Sequence, residues 1–186
     1  MSNPGSFRIM GLDPGSRITG FGVLEVPHGS VNIKNVRLIA VGVIKSKPTL
    51  AHSERTGYLH EAVYQLAEKY APKICVIERA FTGINPHSAL RLGETRGALI
   101  AAVRRLEIQV AEISPTEVKK IITGHGHASK EQLALALQYL LKFDRANLPL
   151  DASDAVAIGL SYSLSLGVQS FPASSHPAVL GLPRSR

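Results

Sequence analysis

Cysteine is almost missing from this chain of 186 residues: Cys75 is the single one. An internal disulfide and a cysteine-rich zinc site are thereby excluded. Long apolar runs are missing too. No stretch approaches the ~20 residues that cross a bilayer. Met1 to Met10 lacks the apolar core of a secretory signal. The expectation is a soluble, cytoplasmic protein with no membrane partner. Acidic residues are outnumbered, 14 Asp and Glu against 21 Lys and Arg, for a formal charge of +7. Hydrophobic residues make up 45% and charged residues 19%, a globular composition and not a disordered one. The length suits one domain with a real core and is too short for two full α/β lobes. The basic excess points to a polyanionic partner, most simply nucleic acid.

Phe7 to Asp13 reads as a short buried strand that ends in a turn at Pro14-Gly15-Ser16. Thr19 to Val26 and Val36 to Lys45 are β-rich, so three sequential antiparallel strands are expected. Leu59, Ala62, Val63, Leu66, Ala67 and Tyr70 recur at three- and four-residue steps, which predicts an amphipathic helix over 51–70. Lys73 to Glu78 is an apolar strand that ends in an acid. A helix from His87 to about Leu106 and a fifth strand, Gln109 to Ser114, follow. Pro115 opens a short helix to about Thr123. Gly124 to His127 reads as a flexible break, and Ser129 with Gln132 as a capping box for a helix to about Leu141. The last helix is expected from about Asp151 to Leu166. The proline- and serine-containing tail from 168 to 186 has no periodicity and is expected to be disordered. This order of elements describes an α/β fold, a mixed five-stranded sheet flanked by helices.

Functional groups of α/β sheets collect at the carboxyl ends of strands. Asp13 ends the first strand and Glu78 the fourth; if those strands are neighbours, the two carboxylates face each other. Asp151 and Asp154 share one helical face at i, i+3. Such a cluster repels itself without a cation. Magnesium relieves that repulsion, because it takes a few carboxylates plus waters and substrate phosphate. Two such ions, about 4 Å apart, would clamp an in-line displacement at phosphorus. Each acid also has a plainer reading alone: a turn residue at Asp13, a loop acid at Glu78, an N-cap at Asp151 with Asp154 favoured by the helix dipole. Three separate elements, each with an acid where a sheet-edge site needs one, favour the metal site.

Gly11-Leu-Asp-Pro-Gly-Ser-Arg17 with Thr19-Gly-Phe-Gly22 resembles the opening of the RuvC family of Holliday junction resolvases. Val76-Ile-Glu-Arg-Ala-Phe81, Ser88-Ala-Leu-Arg-Leu-Gly93 with Arg96-Gly97, and Asp151-Ala-Ser-Asp-Ala-Val-Ala-Ile158 resemble the later motifs of that family, in its order and spacing. The likeness covers about residues 8 to 166. It implies an RNase H-like domain over 1–167 and a homodimer. It also implies a divalent-metal endonuclease that nicks two opposing strands of a four-way DNA junction in recombination and repair. The catalytic and metal-binding acids of the family carry over to Asp13, Glu78, Asp151 and Asp154. Mg2+ is the implied cofactor, two ions per site, with Mn2+ as a substitute. The RuvA–RuvB branch-migration complex is the implied partner.

Eight basic and four acidic residues lie between Arg79 and Lys130, which concentrates the positive excess between the second and third acidic motifs. Lys119, Lys120 and Lys130 flank the Gly124-to-His127 break and could contact phosphates. A solvated helix face is the alternative. The resemblance matches Lys119 and Lys130 to lysines near the active site. Phe81, three residues beyond Glu78, could stack on an unpaired base or anchor its own loop. The family uses an aromatic there to contact the junction. His125 and His127 invite a metal reading, but with two glycines beside them and no cysteine nearby a mobile loop is the better one. Gly93, Gly97 and Ala101 repeat at four-residue steps in a predicted helix. They suit either close packing on the sheet of the same chain or a two-fold contact between copies. A phosphate-binding domain of the actin and sugar-kinase type would need two lobes and leaves the late Asp-x-x-Asp unexplained, and a DNA-binding module without chemistry should lack at least one acid; an RNase H-like nuclease acting on RNA is the rival the sequence separates least.

Overall fold

The computed structural model describes residues 5–29, 31–79, 85–142 and 149–166. Phe81 and the tail lie outside them. The strands are β1 (Ser6–Asp13), β2 (Ile18–Pro27), β3 (Arg37–Lys45), β4 (Ile74–Glu78) and β5 (Gln109–Ile113). The helices are α1 (His52–Tyr70), α2 (Pro86–Arg104), α3 (Pro115–Thr123), α4 (Lys130–Leu141) and α5 (Leu150–Leu166). The strands form one mixed sheet in the order β3-β2-β1-β4-β5. β1, β2 and β3 are antiparallel neighbours, while β4 lies parallel to both β1 and β5. The three-strand meander expected from the sequence is therefore present, with β1 at the point where the sheet changes from antiparallel to parallel.

Side chains alternate between the two faces of a strand. Met10 and Leu12 of β1, with Cys75 and Ile77 of β4, point to the face covered by α1 and α2. There they meet Leu59, Val63, Leu99, Ala102 and Val103. Ile9, Ile74 and Val76 point to the opposite face, against Val118, Ile122, Leu133, Leu137 and Val156 of α3, α4 and α5. The same alternation assigns Gly11, Asp13 and Glu78 to the α5 side. The chemistry of the two strand ends is thus set by the parity of the buried residues before them.

Local signals close the helices. At α3, the Ser114 hydroxyl accepts from the Glu117 amide while the Glu117 carboxylate accepts from the Ser114 amide at 2.9 Å. Ser129 and Gln132 do the same at α4. Asn85 and Pro86 start α2. Gly124, at φ 80°, ends α3 in the left-handed region that a glycine adopts without strain. Residues 125–128 continue as a compact turn. Its Thr123 hydroxyl bonds the His125 amide and carbonyl, and Ala128 N bonds the His125 carbonyl. The break expected to be mobile is a hydrogen-bonded connection between α3 and α4. α5 is buried on almost every side from Ala152 to Leu160, which is the burial of a central helix and not of a surface one. None of the described helices is long and apolar enough to cross a membrane.

Candidate active site

β1 and β4 pair in parallel as far as Leu12 with Ile77. Asp13 and Glu78 are the next residues on each strand, so their carboxylates emerge side by side on the α5 face. The third contributor depends on how closely α5 can approach. A Cβ at Gly20 would collide with the Asp151 carbonyl, and one at Gly11 with the Ala155 carbonyl. A Cβ at Gly22 would stand 2.7 Å from Val156 Cγ2. These glycines let the helix backbone lie directly on β1 and β2, and that contact carries Asp151 and Asp154 to the end of the sheet. Gly11 and Gly22 are also cross-strand partners, as are Asp13 and Gly20. Composition and periodicity did not single these glycines out. The signal was present in their alternate spacing within a strand, where glycine marks close backbone approach.

Asp13, Glu78 and Asp154 line one cleft of about 260 Å3 together with Lys119, Lys130, Pro115, Val118, Leu133 and Ile158. Three of the four acids therefore meet the two lysines matched by the resemblance, while Lys120 is not part of the lining. Asp151 is not part of the lining. α5 opens at Leu150, so Asp151 sits inside the first turn, and the N-cap reading of this residue is incorrect. The Asp151 charge still reaches Asp13 and Lys130. Burial, reinforced by Glu78, Asp154 and Asp151, pushes the Asp13 carboxyl up to about 7. Burial and Asp154 raise Glu78 as well. Lys130 opposes both shifts. Its ammonium bonds Asp154 Oδ2 at 3.2 Å, and the Asp154 charge and this bond raise the lysine in turn.

Among the described residues no three carboxylate, histidine or cysteine side chains converge closely enough to enclose an ion by themselves. The acids are oxygen donors on rigid elements, they repel one another, and they open into a cleft. That fits a hard cation that keeps waters and shares substrate oxygens, and does not fit an all-protein cage. His125 and His127 are both exposed and belong to no such group.

Three further features position the site. Arg55, 7% exposed, donates from Nε to the Ser16 carbonyl and from its guanidinium to the Leu50 carbonyl, which pins the turn after Asp13. Arg96 Nε donates to the Glu78 carbonyl at 3.0 Å. Lys119 holds its place beside the cleft on α3, whose Val118 carbonyl accepts from the buried Ser161 hydroxyl of α5.

A family model described as crossover junction endodeoxyribonuclease RuvC matches residues 9–162. The chain belongs to the RuvC family. Among curated relatives, the crossover junction endodeoxyribonuclease RuvC of Alkalilimnicola ehrlichii is 41% identical over 155 residues, 83% of this chain and 90% of the relative. That of Hydrogenovibrio crunogenus is 38% identical over 163 residues, 87% of this chain and 91% of the relative. Among solved structures, Thermus thermophilus RuvC in complex with a Holliday junction substrate superposes with a TM-score of 0.79 at 30% identity. The match covers 87% of this chain and 96% of that one. The yeast mitochondrial Holliday junction resolvase Ydc2 superposes with a TM-score of 0.62 at 17% identity, over 88% of this chain and 80% of that one. Ydc2 speaks for the fold alone. The fold is RNase H-like, as the RuvC resemblance implied.

Proposed function

We propose that this cleft hydrolyses one phosphodiester bond in each of two opposing strands of a four-way DNA junction. Membership of the RuvC family makes the chain a crossover junction endodeoxyribonuclease, a Holliday junction resolvase of recombination and repair. The observation that carries the reading is the meeting of Asp13, Glu78 and Asp154, from β1, β4 and α5, with Lys119 and Lys130 in one cleft. Asp13, Glu78, Asp151 and Asp154 are assigned as the metal-binding and catalytic acids. The metal is Mg2+, two ions per site, with Mn2+ able to substitute. A bound divalent cation supplies charge stabilisation at the phosphoryl oxygens and a more acidic water.

The chain itself supplies the rest. The two strand ends hold Asp13 and Glu78 at fixed separation, so no reorganisation is needed when a phosphate arrives. Lys130 neutralises Asp154 in the free protein. Were the acids to hold a divalent cation, its ammonium would be free to meet a phosphate oxygen. Lys119, on α3, lines the same cleft and provides a second cationic contact. Val118, Leu133 and Ile158 give the cleft an apolar floor that limits water and strengthens these charges. Phe81, outside the described residues, is assigned to base stacking in the junction.

Paired cuts need paired sites, and a homodimer through α2 provides them. Among the described residues nothing stands within 4 Å of where a Cβ would lie at Gly93 or Gly97, and Leu90 on the same face is 63% exposed. Close packing on the sheet of the same chain is therefore not what these glycines serve. The protein acts in the cytoplasm, with the RuvA–RuvB complex as partner and residues 1–167 as its nuclease domain.

Purified protein is incubated with a synthetic four-way junction, a plain duplex and an RNA–DNA hybrid, with and without Mg2+. The expected result is symmetric nicking of the junction alone, abolished by chelation of the metal. Equal cutting of the hybrid, or metal-independent cutting, would overturn the reading.

A further inference from the structure

We infer that Arg96 is a positioning residue for Glu78, acting on the backbone at the end of β4; this inference rests on the proposed role of Glu78. The strand leaves the sheet immediately after Glu78. Its pairing with β1 has already ended at Ile77, and on the other side the Arg79 amide makes a closing bond to the Ile113 carbonyl at 2.8 Å. The Glu78 carbonyl is taken by Arg96 Nε at 3.0 Å. The same guanidinium places Nη2 2.6 Å from Glu112 Oε1 on β5, as an ion pair and not as an aligned hydrogen bond. The Arg96 side chain is only 15% exposed. One planar group therefore ties α2, the end of β4 and β5 together at the residue that carries a candidate metal ligand.

The effect runs through geometry. The charges that shift Glu78 are those of Asp154 and Lys130, not Arg96. Removal of the guanidinium frees the Glu78 backbone and leaves both of those charges in place. A lysine keeps the positive charge but has no rigid fork, so it cannot hold the carbonyl and Glu112 together. Outer partners of this kind typically govern about 10–100-fold in metal affinity or activity.

The test compares wild type, Arg96→Gln, Arg96→Lys and Glu112→Gln. Single-turnover junction cleavage, junction affinity in Ca2+ and the Mg2+ dependence of thermal stability are measured on each. Both Arg96 variants are expected to cut about 10–100-fold more slowly, with junction affinity unchanged within twofold. Their half-saturating Mg2+ in the thermal titration should rise by a similar factor, and excess Mg2+ should restore part of the rate. Glu112→Gln, which leaves the Glu78 carbonyl bond in place, is expected to move in the same direction by less. If Arg96→Gln does not fold, Arg96→Lys and Glu112→Gln decide. Wild-type cutting and wild-type Mg2+ half-saturation in folded Arg96→Lys and Glu112→Gln would overturn the inference. So would a loss of rate that tracks a loss of junction affinity. A wild-type protein that cuts no junction would sink the proposed function instead, while the thermal titration, which needs no DNA, would still decide the role of Arg96.

Discussion

Asp13 is the residue on which burial and charge conflict most. Its folded-state pKa, about 7, lies far above its ordinary 3.8. As pH rises, the unfolded chain releases this proton first. Between about pH 4 and 7 the folded state holds more protons, so metal-free stability from this group is full below that window and is lost as pH rises through it. Glu78 shifts in the same direction. Asp13→Asn is therefore expected to stabilise the metal-free protein at pH 8, on the order of 2 kcal/mol, and to flatten its pH dependence. Thermal melts at pH 5 and pH 8 check this. Added Mg2+ should stabilise wild type at pH 8 and leave the variant almost unmoved. Cleavage should be lost in the variant while gel shifts show junction binding retained. Lys130 has the opposite character. Its bond to Asp154 is exposed on the lysine side, so its worth to the fold is at most about 1 kcal/mol. Lys130→Ala should slow cleavage more than it weakens binding, because part of its effect appears only as charge develops on phosphate. Parallel measurement of rate and affinity separates the two, and equal losses would make it an ordinary backbone contact.

At the scale of elements, the glycines fall into two kinds. Gly11, Gly20 and Gly22 lie where α5 presses on the sheet, with helix backbone in the space a Cβ would need at Gly11 and Gly20 and the Val156 side chain in that space at Gly22. Backbone cannot swing aside as a side chain can. Gly20→Ala is expected to lever the start of α5 away and cost about 3 kcal/mol or more, with loss of Mg2+-induced stabilisation. Gly93 sits in the middle of α2 with open space around it. Gly93→Ala should raise stability by about 1 kcal/mol, the helix-propensity gain with no clash. Denaturant titration of both variants measures the contrast. The placement of α5 was the least legible element in the sequence. A helix buried on almost every side shows no amphipathic stripe, so its Asp-x-x-Asp pattern could be taken for a surface cap. The capping boxes at Ser114 and Ser129 were readable because they are local, closed within four residues.

For the whole molecule, the arrangement is asymmetric. One end of the sheet gathers the acids and two lysines, while α2 leaves its small-residue face open on the other side of the sheet from α5. Gly97→Leu is expected to fold with wild-type stability, since no described residue occupies that space. In the proposed homodimer it should push two copies apart, shift the protein to monomer in light scattering, and convert paired cuts into single nicks. An unchanged dimer would remove this face from the interface.

The sequence by itself determined the order of elements, the acids at the ends of β1 and β4, the basic excess between the motifs, and the RuvC resemblance. All of these depend on residues close together along the chain, through alternation, capping and composition. Tertiary structure alone decided which of them meet. The parallel pairing of β1 with β4 sets Asp13 beside Glu78, and the glycine cradle sets α5 close enough for Asp154 to join them while Asp151 stays off the cleft wall. The Lys130–Asp154 pair and the Arg96 hook on Glu78 span 24 and 18 residues of chain. No periodicity encodes such pairs. They follow from where packed backbones come to rest, which is settled by the volume each interface can accommodate.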